Sequence, residues 1–96
     1  MLDRTREILE AGVAVALEHG LHSVTRERVS AQARVSTALV NLYFGTMAAL
    51  RDRIVATAVE RELLGIIAQA MLDKHPTALA APRRLQERAA RAMLHS

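Results

Sequence analysis

The sequence predicts an all-α fold, on three grounds. Ala, Leu and Arg dominate a chain that has only four glycines and two prolines, the residues least compatible with helix interiors. Apolar residues recur at three- and four-residue spacing along most of its length, which is the helical period. Short polar residues and glycines fall where helices must start and stop.

The first helix is expected from about Asp3 to His19. Ile8, Ala11, Gly12, Val15 and Ala16 share one apolar face, while Arg6, Glu10 and Glu18 stay outside. Gly20 is placed to cap it in a left-handed conformation, with Leu21 folding back over the last turn. Thr25 then opens a short helix to about Ala33, its hydroxyl capping the amides of Glu27 and Arg28; Val24, Val29 and Ala33 point inward. Ser36 caps another short helix, Thr37 to Tyr43, with Leu39 and Val40 as its apolar side. Only Arg34 and Val35 are left to connect the two helices. Gly45 closes the second, Thr46 caps a long fourth helix running to about Asp73, and Lys74-His75-Pro76 ends it. A final basic helix is expected from Pro82 to Leu94, with proline at its first turn. The expected domains are 1–54 and 55–96.

Composition narrows the function. With 96 residues the chain holds one small core, and chains of that size bury only about 60–65% of their unfolded surface, which favours oligomerisation. There is no Cys, so disulfides and thiolate metal sites are excluded. His19, His22, His75 and His95 lack ligand spacing, and no metal or other cofactor is expected. No apolar run is long enough to span a bilayer, and Met1-Leu2-Asp3-Arg4 does not open a signal peptide. Thirteen Lys and Arg against ten Asp and Glu give a net charge of +3, nearly all of the positive charge on Arg, which suits phosphate. An enzyme is not expected: the chain has neither a Gly-rich phosphate loop nor a nucleophile–base–acid arrangement.

Two short helices joined by a tight turn, with a helix before them, have the layout of a DNA-reading helix-turn-helix. Such a second helix needs small or polar side chains at its N-terminal end, and Ser36, Thr37, Ala38 and Asn41 supply them. Asn pairs bidentately with adenine N6 and N7, and Ala or Thr methyls meet a thymine methyl. Tyr43 and the amides around Thr46 suit phosphates, as do Arg26 and Ser36. Arg4, Arg6, Arg34 and Arg51 are further candidates for DNA contact; Arg4 and Arg6 read first as a solvated terminus and otherwise as an arm into the minor groove.

Ile8-Leu9-Glu10-Ala11-Gly12, Glu18-His19-Gly20-Leu21, Val24-Thr25-Arg26-Glu27-Arg28-Val29 and Val35 through Gly45 followed by Ala49-Leu50 resemble, in that order, the first four helices of the TetR family of bacterial repressors. Tyr43-Phe44 is the most specific piece, similar to the aromatic pair that ends the family's recognition helix. The resemblance implies a three-helix DNA-binding domain followed by a long fourth helix, with Thr25, Tyr43 and Thr46 on phosphate and Thr37, Ala38 and Asn41 facing bases. It further implies a cytoplasmic, nucleoid-associated homodimer that represses transcription from a palindromic operator. The chain departs from the pattern at Arg34, where the turn commonly has Gly, at Asn41, which replaces a frequent Tyr, and at Met47, which replaces a frequent phosphate-binding Lys.

The remaining segment, Val55 to Ser96, is short for a ligand-binding domain, so the chain resembles the small plasmid-encoded KorC-type members, for which no small-molecule ligand is expected. The apolar run around Val59, Leu63, Ile66, Ile67, Ala70 and Met71 is the expected dimer interface. A different function is open to the same features: a helical interaction protein pairing with another regulator through residues 63–72. Arg83, Arg84, Arg88 and Arg91 read as the soluble outer face of the last helix.

Overall fold

The computed structural model describes residues 3–95. Met1, Leu2 and Ser96, at the outer ends of the two expected domains, lie outside the described residues. Those residues form seven α-helices and a 3-10 turn: α1 (Arg4–His19), the turn Leu21–Ser23, α2 (Arg26–Ala33), α3 (Thr37–Phe44), α4 (Met47–Arg61), α5 (Leu64–Leu72), α6 (Pro76–Leu79) and α7 (Arg83–Leu94). The chain divides into two compact units between Ile54 and Val55. The fold of the described residues is all-α, as the sequence predicts.

In the first unit α1 packs on α2 and α3, and α2 packs on α3. Ile8, Val24, Val29, Val40, Leu50 and Ile54 are essentially without solvent exposure. Side chains cap the four helix starts of this unit. Asp3 Oδ1 accepts from the Thr5 and Arg6 amides, Thr25 Oγ1 from Arg28, Ser36 Oγ from Leu39 and Thr46 Oγ1 from Ala49. Each cap satisfies an amide that the first helical turn leaves without a carbonyl. Thr25 serves Arg28 only; the expected second bond, from Glu27, is not made by its hydroxyl.

Three helices end in the same way, and none of them uses glycine. Arg34, Glu62 and Lys74 all have positive φ, at 59°, 56° and 57°. In each case the next amide reaches back five residues: Val35 to Ser30, Leu63 to Ala58, His75 to Ala70. This is the Schellman arrangement, whose left-handed residue is usually Gly because a Cβ is crowded there. Arg34→Gly is therefore expected to raise the stability of the chain by about 0.5–1 kcal/mol, the left-handed penalty being partly offset by the extra entropy glycine loses on folding. Urea unfolding of the two proteins checks this, and an unchanged or lower midpoint would show that Arg34 is not strained.

The second of these ends corrects the expectation of one helix from Thr46 to Asp73. A helix of that length would run straight for about 40 Å. Instead Glu62 turns left-handed and separates α4 from α5, and its carboxylate takes Arg88 Nη1 from α7 as partner. In the second unit α5 packs on α7 and α6, which buries Ile66, Ile67, Ala70, Leu85 and Ala89. The apolar stretch that looked continuous in the sequence thus needs a break so that α5 can fold against its own chain. The four-residue α6, with Pro76 at its start, was not expected; the last helix begins at Arg83 with Pro82 just outside it.

Candidate nucleic-acid interface

The helix-turn-helix is α2, the three-residue link Arg34–Val35–Ser36, and α3. Arg34 makes so short a link workable: its left-handed backbone reverses the chain at once, and Ser36 starts the next helix two residues later. Val40 is buried and Leu39 half-buried, so α3 is seated on the unit by this side. Thr37, Ala38 and Asn41 are all exposed on the other. They fall within about 140° of arc together with Leu42, a residue the sequence reading left unassigned and which is 75% exposed. Its signal was available: an apolar residue one position after Asn41 and four after Ala38, off the Leu39–Val40 side.

The candidates for phosphate are less uniform. Ser36 and Thr46 are exposed at the starts of α3 and α4, and Thr25 is half-buried at the start of α2. Each has its oxygen engaged in capping, so any phosphate contact is additional to that task. Tyr43 is exposed although it lies near the core-facing side of α3. Arg26 is half-buried, and its Nε is out of solvent with no hydrogen-bond partner.

The further arginines separate on geometry. Arg51 Nη2 donates to the Val24 carbonyl at 3.1 Å, which ties α4 to the segment before α2; Arg51 is a structural brace in the first unit. Arg4 pairs with Glu7 at 3.1 Å on the surface of α1, a contact worth little in water. Arg6 and Arg34 are exposed. Arg4, Arg6 and Arg34 line an open groove of about 830 Å³ between the start of α1 and the end of α2, but Asp3, Glu7 and Glu10 line it too. The mixed signs make it no single-sign track for a phosphate backbone.

The fold of the second unit buries the expected dimer-interface residues to different degrees. Ile66, Ile67 and Ala70 are buried within the protomer and have no surface to offer a partner, because α5 turns them inward after the break at Glu62. Val59, Leu63 and Met71 are half-buried. Exposed apolar surface in this unit is provided by Leu72, Leu79, Met93 and Leu94, exposed at 70%, 49%, 37% and 83%; Leu72, Met93 and Leu94 lie on α5 and α7, where Gly65, Ala68 and Ala92 line a shallow cleft. Among the described residues no helix is long and apolar enough to cross a membrane.

Residues 8–54 match the family model for bacterial regulatory proteins of the tetR family. The matched span opens at Ile8 and closes at Ile54, the residue at which the first compact unit ends. Comparison with solved structures and with curated proteins returns no significant match. The match is to a family of DNA-binding transcription regulators and not of enzymes.

Proposed function

We propose that this chain, a DNA-binding transcription regulator with a TetR-type helix-turn-helix, is a repressor that acts as a homodimer on a palindromic operator. The observation that carries this reading is the exposed, small and polar face of α3, which stands opposite its buried side in a unit braced by α1 and α2. Thr37, Ala38 and Asn41 read bases in the major groove. Thr25, Arg26, Ser36, Tyr43 and Thr46 hold phosphates, and phosphate contacts set register without reading sequence.

Dimerisation in this reading uses the apolar surface left by α5 and α7, chiefly Leu72 and Met93 with Met71. A two-fold dimer places its recognition helices about 34–36 Å apart, one turn of DNA. The reading includes no inducer, in the manner of the small plasmid-encoded KorC-type repressors that the chain resembles. The clefts of α5 and α7 have volumes of about 200 Å³ and 290 Å³, below the pockets of about 300–1,000 Å³ that hold drug-sized ligands. Release of bound operator by a small molecule would overturn that part.

Selection of bound DNA from a random pool, paired with sedimentation of the free protein, tests the whole. A palindromic motif with half-sites one turn apart and a dimeric sedimentation coefficient are expected. A chain that enriches no motif would instead be an interaction protein. Tyr43→Phe is expected to weaken binding by roughly 1 kcal/mol, the worth of one hydrogen bond, and by the same factor on operator and on unrelated DNA. A loss confined to the operator would move Tyr43 from the phosphates to the bases.

A further inference from the structure

We infer that the half-site read by α3 is built on A·T pairs, recognised through thymine methyl groups by an apolar strip in which Leu42 is the main element. The inference rests on the reading of α3 as the recognition helix and names what that helix selects.

From Thr37 to Phe44 the helix carries no charged residue. Guanine is read in the major groove chiefly by bidentate Arg or Lys, and cytosine by Asp or Glu; α3 has neither kind. Arg28 and Arg34 are exposed but stand on α2 and in the turn. Apart from Tyr43, the side chains that α3 exposes all suit one base pair. Asn41 has the donor and acceptor that match adenine N6 and N7, while Ala38, Leu42 and the methyl of Thr37 offer hydrocarbon to a thymine methyl.

Leu42 decides between a polar face with incidental methyls and a surface made for methyls. At 75% exposure it makes little contact with the unit that carries it, and it follows directly on Asn41, one turn after Ala38. Leu39, Val40 and Leu50 already supply the core on the buried sides of α3 and α4. From Thr37 to Leu42 the helix rises about 7.5 Å, close to two base-pair steps of about 3.4 Å. The strip therefore spans two or three adjacent pairs, with Asn41 on the adenine of one and Leu42 on the methyl of a neighbour.

The test uses the operator enriched from the random pool, synthesised with deoxyuridine replacing thymidine singly at each half-site position. This change removes one C5 methyl and leaves the base-pairing intact. Wild-type protein is expected to lose about threefold to fourfold in affinity at one or two positions, the worth of one buried methyl. Leu42→Ala is expected to bind thymidine and deoxyuridine operators alike, with unrelated DNA bound as by wild type. Circular dichroism of the variant checks its helicity, which a side chain this exposed does not support. An enriched operator whose half-sites are G·C only, or one that wild type binds equally well with either base, would overturn the inference while leaving the recognition role of α3 intact. Failure to enrich any motif would defeat both together.

Discussion

Asn41→Ala is expected to cost about 1–3 kcal/mol of affinity on the preferred operator, a loss of roughly fivefold to 150-fold, and almost nothing on unrelated DNA. The asymmetry follows from where Asn41 lies. It is exposed on α3, opposite the side seated by Val40, so its removal leaves the unit's core untouched. Its amide supplies a donor and an acceptor to a single base, and a site arranged to pair with both groups loses both together. The rest of the interface is phosphate contact, which every sequence offers equally. Titration of wild type and variant against the operator, a single-pair mutant of it and a scrambled duplex separates the contributions. At the base pair read by Asn41 the variant should no longer distinguish the operator from its mutant. Equal losses on all three duplexes would place Asn41 on the backbone.

Ile54→Ala carries the largest expected effect on stability. Ile54 has no solvent exposure, and truncation of such a residue costs about 2–5 kcal/mol. A chain of this size has roughly 5–15 kcal/mol in all, so the variant stands near the edge of folding. The same position explains a glycine in the middle of α1. A Cβ on Gly12 would lie 2.8 Å from Ile54 Cδ1 and 3.6 Å from Leu50 Cδ1, closer to the isoleucine than side chains pack. Glycine costs about 1 kcal/mol of helix propensity relative to alanine, and here that loss is offset by the close approach of the two helices. Gly12→Ala alone should therefore leave stability near its wild-type value, because the gain in propensity is spent on displacing Ile54. With Ile54→Ala present the displaced atoms are gone, and Gly12→Ala should then stabilise by about 1 kcal/mol or more. A double-mutant cycle by urea unfolding measures this coupling. Simple additivity of the two substitutions would mean that Ile54 moves aside without cost.

Features whose causes lie within a few residues were legible before the chain was folded. Thr25, Ser36 and Thr46 announce three helix starts because a hydroxyl meets an amide three positions on, a bond that needs no distant partner. Val24, Val29 and Val40 were legible as core from spacing alone, and Thr37, Ala38 and Asn41 as the exposed face of α3 by the same rule. The rest depends on contacts between segments far apart in the chain. The helix expected to run through to Asp73 stops at Arg61, because a left-handed Glu62 carries no local signal and is held where α5 and α7 can pack. Ile66, Ile67 and Ala70 looked like an interface in the sequence, and they are interior, since a segment apolar on all sides does not say which side meets its own chain. Arg51, a further candidate for DNA contact, also donates to the Val24 carbonyl, 27 residues earlier in the chain, a partner that no local pattern announces. Leu42 had no role assigned from its sequence position, and it stands 75% exposed beside Asn41 on the outward face of α3. Hydrogen bonds within a turn are written into neighbouring residues, whereas burial is a property of whatever lies opposite, and that is known only once the chain has folded.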